Sequence, residues 1–214
     1  MNEVTARLHE LGVVPVVAIE RAGDAAPLAD ALVEGGLACA EVTFRTRAAA
    51  EAIEILSKRG DLLVGAGTVL SIDQVKAARD AGAGFIVSPG LNPKVVSYCV
   101  QNGFPVTPGV CTPSDIEAAL EYGLDVLKFF PAEAFGGLKT LKALSGPYHW
   151  VKFIPTGGIH PGNLREYLSF PSVLACGGTW IARSSLILEG KFQEVLANTR
   201  EAVKIAAECG RTGG

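Results

Sequence analysis

Leu124-Asp125-Val126-Leu127-Lys128-Phe129-Phe130-Pro131-Ala132-Glu133 is the stretch on which the fold turns, an apolar, β-favouring run with a lysine at its centre. Strand side chains alternate, so Val126, Lys128 and Phe130 share one face while Leu127 and Phe129 share the other. Both faces are apolar around the lysine, the pattern of a buried strand. Burying an unpaired ammonium is costly, and desolvation favours the neutral amine, the form that attacks a ketone to build an imine. A lysine at a strand end snorkelling to water is the alternative, and for one such lysine in isolation it is the stronger reading. The rest of the chain decides between them.

Seven further apolar runs surround this one: Val13 to Ile19, Cys39 to Arg45, Leu62 to Val69, Phe85 to Pro89, Pro105 to Val110, Val151 to Gly158 and Val173 to Trp180. Between them lie segments rich in helix formers, such as Asp24 to Glu34, Thr46 to Arg59, Pro113 to Tyr122 and Asn163 to Leu168. Ser71-Ile72-Asp73-Gln74 fits a capping box, Thr112-Pro113 and His160-Pro161 place proline at a first helical position, and Gly35, Gly60, Gly82, Gly103, Gly123 and Gly146 stand where helices should stop. Apolar strands alternating with helices imply βαβ units in a parallel sheet, and eight of them predict an α/β fold, a (β/α)8 TIM barrel with an extra N-terminal helix near Val4–Leu11. A doubly wound open sheet is the competing architecture. It usually carries a dinucleotide fingerprint after its first strand, which Ile19-Glu20-Arg21-Ala22-Gly23 does not supply. No linker divides the chain, so residues 1–209 read as one catalytic domain and 210–214 as a disordered tail.

Composition narrows the partners. Net charge is −3, with Lys and Arg scattered singly, which leaves no basic face for nucleic acid or a membrane surface and favours a small-molecule substrate. The N-terminal residues carry no apolar targeting core, and no apolar run approaches the roughly 18 residues of a membrane span, so a cytoplasmic protein is expected. Five widely spaced cysteines with no Cys-x-x-Cys predict reduced thiols rather than disulfides or zinc ligands. Three histidines without acidic neighbours at ligand spacing predict no metal, and no cofactor is called for.

In such a barrel the chemistry lies where strands finish. Alternation in the second run puts Glu41, Thr43 and Arg45 together, opposite Val42 and Phe44, and the polar set should face inward. A structural ion pair between Glu41 and Arg45 is the plain explanation of that set. In the third run Thr68 shares the parity of Val64 and Ala66, predicted inward, with glycines leaving room for a ligand. Ser88-Pro89-Gly90 and Thr107-Pro108-Gly109 are turns placed to line the rim. The seventh and eighth runs end in glycine pairs, Thr156-Gly157-Gly158 and Gly177-Gly178-Thr179, at the two strands where barrels commonly hold a phosphate on backbone N–H groups.

Glu-Val-Thr-Phe-Arg-Thr at 41–46, Gly-Ala-Gly-Thr-Val at 65–69, Lys-Phe-Phe-Pro-Ala-Glu at 128–133, Pro-Thr-Gly-Gly-Ile at 155–159 and Gly-Gly-Thr-Trp at 177–180 together resemble the family of 2-keto-3-deoxy-6-phosphogluconate and 4-hydroxy-2-oxoglutarate aldolases, in order and over nearly the whole chain. The resemblance implies a cofactor-free, metal-independent class I aldolase barrel, assembled as a homotrimer. It makes Lys128 the Schiff-base residue and Glu41 the proton-transfer group. It places Arg45 and Thr68 on the pyruvate carboxylate, with Pro89 and Phe130 beside the substrate. Thr156, Gly157, Gly158, Gly178 and Thr179 fall in the phosphate region, where the family often carries serine in place of Thr179. The implied substrates are keto-acids, phosphorylated or not. Two other functions fit the residues without the resemblance: a phosphate-binding barrel isomerase or synthase using Glu41 and Lys128 as acid and base alone, and a silent barrel that senses a sugar phosphate.

Overall fold

Each of the eight apolar runs contains a strand in the computed structural model, which describes residues 2–211. Within the tail expected over 210–214, residues 212–214 lie outside the described residues. The chain runs α1 (Glu3–Leu11), β1 (Val13–Val17), α2 (Ala25–Glu34), β2 (Cys39–Thr43), α3 (Ala49–Arg59), β3 (Leu63–Gly67), α4 (Ile72–Asp80), β4 (Phe85–Val87) and α5 (Pro93–Gln101). It continues β5 (Val106–Thr107), β6 (Gly109–Val110), α6 (Pro113–Glu121), β7 (Val126–Phe129), α7 (Gly137–Ser145), β8 (Lys152–Pro155), α8 (Pro161–Leu168), β9 (Cys176–Gly178), α9 (Ser184–Leu188) and α10 (Phe192–Glu208).

All the strand pairings are parallel, in the order β5-β4-β3-β2-β1-β9 in one sheet and β6-β7-β8 in the other. β5 and β6 belong to one expected run, parted at Pro108, which has no N–H to give to a ladder. Single parallel bridges, Phe153 to Val173 and Thr156 to Gly177, lie between the β8 and β9 segments. The product is an α/β fold with parallel strands in a curled sheet.

The helix signals have local causes. Thr112 accepts from the Asp115 N–H while the Asp115 carboxylate accepts from the Thr112 N–H, a complete capping box. His160 caps α8 in the same reciprocal way, its Nδ1 accepting from the Gly162 N–H. The box expected at Ser71 is half-formed: Ser71 Oγ accepts from the Gln74 N–H, but Gln74 Oε1 accepts from the Leu70 N–H.

Side-chain direction is set by strand parity. Ala40, Val42, Val64, Ala66, Ile86, Leu127, Phe129 and Phe153 join helix residues such as Leu28, Leu32, Ile53, Leu56, Leu141 and Leu164 in one buried cluster. The opposite face, with Val14, Glu41, Phe85, Val87, Thr107, Lys128 and Ile154, lines a central cavity of only about 10 Å³. Leu8 of α1 also lines it, so the extra N-terminal helix reaches the middle of the curled sheet.

In β3 the parity differs from the sequence expectation. A Cβ on Gly65 would stand 2.2 Å from the Phe85 ring, and one on Gly67 would stand 2.3 Å from Glu41 Oε1. The glycines therefore face the lumen, and Val64 and Ala66 face the helices. The lumen side is occupied by the neighbours' large side chains, which the missing Cβ atoms admit. Alternation gives no reason for Thr68 to point inward; it follows β3 in a turn at φ 55°, a left-handed conformation uncommon for threonine.

Candidate active site

Two strands on separate sheets bring the lysine and the glutamate together. Lys128 is aligned with Gly109 of β6 and Ile154 of β8, whereas Glu41 is aligned with Val16 of β1 and Gly65 of β3. Lys128 Nζ donates to Glu41 Oε1 at 3.0 Å, with the two side chains 7% and 5% exposed. The lysine is thus neither snorkelling nor unpaired. Ion pairing offsets the desolvation of both groups, and removing one partner would strand the other charge in an apolar lumen. The Phe130 ring lies 5.4 Å from Nζ, capping the amine with a π face. The peptide between Phe130 and Pro131 is cis.

The plain alternative, a structural Glu41–Arg45 pair, is not the one observed: the carboxylate pairs with Lys128. Arg45 Nε instead donates to Thr43 Oγ1 at 3.1 Å, and Thr43 Oγ1 donates to the Val17 carbonyl at 2.8 Å. Thr43 lies between Glu41 and Arg45 in the strand sequence, so this contact folds the guanidinium back toward the ion pair. Arg45 also lines a cavity of about 360 Å³ with Val16, Ala18, Thr179, Ala182, Arg183 and Ser184, at the ends of β1 and β9. Val16 is Glu41's partner in the β1–β2 register, so this cavity starts one strand away from the carboxylate.

The two glycine pairs have different surroundings. Gly157 and Gly158 both have positive φ, 96° and 85°, and their backbones lie against residues 130–133. The Ala132 N–H donates to the Thr156 carbonyl at 2.8 Å, and the Glu133 N–H donates to the Gly157 carbonyl at 3.0 Å. A Cβ on Gly158 would meet the Glu133 side chain at 2.5 Å, and that carboxylate accepts a hydrogen bond from the buried Tyr167 hydroxyl. Burial, with the Glu133 contact second, pushes the Tyr167 phenol well above its usual range. The turn that follows the lysine strand is thereby tied to the Gly157-Gly158 turn. Gly177 faces the lumen and makes room for Thr156, whose Oγ1 would be 2.2 Å from a Cβ there. Gly178 faces the other way, toward Trp180 and Ile181, while Thr179 is exposed at the cavity rim.

Of the residues expected to contact substrate, the structure brings Lys128, Glu41 and Phe130 into one cluster, and Arg45 and Thr179 into one cavity. Thr156 is buried against Gly177. Thr68 makes no side-chain hydrogen bond among the described residues, and the Pro89 carbonyl packs where a Cβ on Gly109 would stand, 2.1 Å away. The sequence suggests that the β3 glycines leave room for a ligand, whereas Gly67 makes room for the Glu41 side chain, and nothing in the hydropathy pattern flags Arg183, an exposed cation past a strand end.

Among the described residues no group of His, Cys, Asp and Glu could hold a metal ion. The five cysteines are unpaired. Burial pushes the Cys39 thiol up to about 12 and the Cys99 thiol up to about 11, and it raises Cys176 further, so these are inert thiols rather than nucleophiles.

The chain is similar to known proteins over most of its length. The family described as "Aldolase: KDPG and KHG aldolase" matches residues 4–198. A 2-dehydro-3-deoxy-phosphogluconate aldolase of Treponema pallidum is 50% identical over 92% of this chain and 95% of its own. A KHG/KDPG aldolase of Escherichia coli K12 is 42% identical over 90% of this chain and 91% of its own. The crystal structure of KDPG aldolase from Legionella pneumophila, with pyruvate captured at low pH as a covalent carbinolamine intermediate, superposes with a TM-score of 0.90 at 38% identity, covering 94% of this chain and 98% of that one.

Proposed function

Because the chain belongs to the KDPG and KHG aldolase family, we propose that it cleaves 2-keto-3-deoxy-6-phosphogluconate (KDPG) to pyruvate and glyceraldehyde 3-phosphate through an imine on Lys128, and 4-hydroxy-2-oxoglutarate to pyruvate and glyoxylate. The observation that carries this reading is the buried 3.0 Å contact between Lys128 Nζ and Glu41 Oε1. A carboxylate at hydrogen-bond distance can take a proton from the ammonium and leave an amine that attacks the C2 ketone. The tetrahedral carbinolamine then loses its hydroxyl as water, with Glu41 donating the proton, to give an iminium. Glu41, directly or through water, next takes the C4 hydroxyl proton. The C3–C4 bond breaks, its electron pair moves toward the iminium nitrogen, and the aldehyde departs. Protonation of the enamine at C3 and hydrolysis release pyruvate and restore the amine. The step consumes no redox equivalent and needs no metal charge, since the iminium is the electron sink.

Arg45, folded toward the ion pair by Thr43, suits the carboxylate beside C2, and Thr68, Pro89 and Phe130 complete that end in this reading. Thr156, Gly157, Gly158, Gly178 and Thr179 take the phosphate end. We read residues 1–209 as one domain whose two sheets close into a (β/α)8 barrel: β5 and β6 are parts of a single run, and the Thr156–Gly177 bridge spans the other seam. The homotrimer the family resemblance implies suits the exposed Phe135 and Trp150 and would scatter light at about three times 22.3 kDa. No helix among the described residues is long and apolar enough to cross a membrane. A cytoplasmic place, with KDPG cleavage as the aldolase step of an Entner–Doudoroff route, completes the proposal.

Borohydride treatment with pyruvate tests the chemistry. One reduced pyruvyl group per chain is expected on the peptide containing Lys128, and none in Lys128→Ala. A label on Lys152, the other strand lysine, would overturn the assignment. An isomerase or synthase using the pair as acid and base alone would take up no label.

A further inference from the structure

We propose that Arg183 is the cation that selects substrates with a distal anion, namely the KDPG phosphate, an inference that rests on the aldolase reading above. The 360 Å³ cavity is lined by two guanidinium groups, Arg45 and Arg183, two hydroxyls, Thr179 and Ser184, and no carboxylate. Neither arginine is engaged in an ion pair among the described residues. Their environments divide them between the two ends of a substrate. Arg45 is held at the inner end through its 3.1 Å bond to Thr43 Oγ1, on the strand that carries Glu41. A keto-acid whose C2 is bonded to Lys128 must place its C1 carboxylate at that inner end.

Four carbons beyond C2, KDPG carries a phosphate dianion. The residues already assigned there, Gly157, Gly158, Gly178, Thr156 and Thr179, offer N–H and O–H dipoles but no formal charge. A dianion leaving water for dipoles alone loses much of its hydration without a counter-charge, whereas an arginine fork meets phosphate oxygens with two parallel charge-assisted bonds. Arg183 is the remaining cation on the cavity wall. It directly follows Ile181 and Ala182, which are 0% and 1% exposed, so its backbone is anchored while its side chain stays open to the cavity. Arg183 stands at the N-cap of the short helix Ser184–Leu188, whose backbone N–H groups offer dipoles but no formal charge, so a full positive charge here comes from the side chain.

The test compares wild type, Arg183→Ala and Arg183→Lys on KDPG and on 2-keto-3-deoxygluconate, which lacks the phosphate. For Arg183→Ala the ratio of kcat/KM between the two substrates should fall at least about tenfold, through KM more than kcat, with lysine restoring part of the loss. Phosphorus NMR titration of inorganic phosphate reads the same cavity without turnover, and its binding to Arg183→Ala should weaken by at least about tenfold. A ratio within about threefold of wild type, an equal loss on both substrates, or unaltered phosphate binding would each overturn the assignment. Failure of wild type to form the pyruvate adduct is a separate result: it would remove the aldolase reading, and the phosphate titration would still decide whether Arg183 holds an anion.

Discussion

Gly67→Ala should disable the enzyme by moving one carboxylate. The added Cβ would stand 2.3 Å from Glu41 Oε1, 2.7 Å from Cγ and 2.8 Å from Cδ. A carbon–oxygen contact of about 3.2 Å, near the close limit of ordinary packing, requires the carboxylate to retreat by almost 1 Å. Gly67 has no positive φ, so alanine brings no backbone strain to confuse the result. Retreat away from the amine would stretch the 3.0 Å contact to Lys128 toward 4 Å, beyond hydrogen-bond range. Overpacking should cost about 1–3 kcal/mol of stability, and a displacement of about 1 Å in the proton-transfer group about a hundredfold in kcat/KM. That is roughly 2.7 kcal/mol at 1.36 kcal/mol per decade. The assay is steady-state cleavage coupled to pyruvate reduction, with chemical denaturation beside it, run as a double-mutant cycle. In a Glu41→Ala background the methyl meets no carboxylate, and Gly67→Ala should cost little further activity. Wild-type turnover in Gly67→Ala, or the same loss in both backgrounds, would refute an effect acting through Glu41.

Three further outcomes are expected. Glu41→Gln should keep the fold by circular dichroism yet slow turnover by about 10²–10⁴, and near-normal turnover would remove Glu41 from the chemistry. 2-Keto-3-deoxygluconate should fall below KDPG by at least about a hundredfold in kcat/KM, because phosphate binding energy positions the reacting carbons; Thr179→Val should penalise KDPG selectively, and an equal loss on 4-hydroxy-2-oxoglutarate would make the glycine turns merely structural. Iodoacetamide at pH 8 should leave Cys39 and Cys176 unlabelled in the native protein, since burial raises both thiols far above that pH, and rapid labelling seen by mass spectrometry would contradict their burial.

The strands were legible because nearly every one is buried, and a buried strand announces itself as an apolar run. Direction was legible only where the lumen face carries something other than hydrocarbon. Glu41 and Thr43 against Val42, and Lys128 against Leu127 and Phe129, reveal their parity at once. β3 misleads because two of its lumen-parity positions are Gly65 and Gly67: past Leu63 at its start, the side chains it displays, Val64 and Ala66, belong to the helix side. The break at Pro108 was visible as a proline but not as a division between sheets, which depends on the ladder partners. That Glu41 answers Lys128 rather than Arg45 could not be read from spacing, because the partners lie 87 residues apart and meet only across the lumen.

The pairing of β1 with β9 sets a schedule for synthesis. The first strand of the chain hydrogen-bonds to the last, Val13 to Cys176 and Val14 to Gly177. A ribosome adding about 5–20 residues per second needs roughly ten to thirty seconds to travel between them. Throughout that interval the growing chain can join β1 to β2 but leaves the other edge of Val13–Val17 without its native neighbour. Such an edge is a template for foreign strands, so the interval favours prompt shielding by other parts of the nascent chain or by chaperones. The strand carrying Lys128 is made before β9 exists, and the last seam to be sewn, β1 to β9, is the one beside the substrate cavity, whose wall includes Val16 and Thr179. A ribosome-stalled chain that stops short of Cys176 would therefore have the lysine and the glutamate but no finished pocket around them.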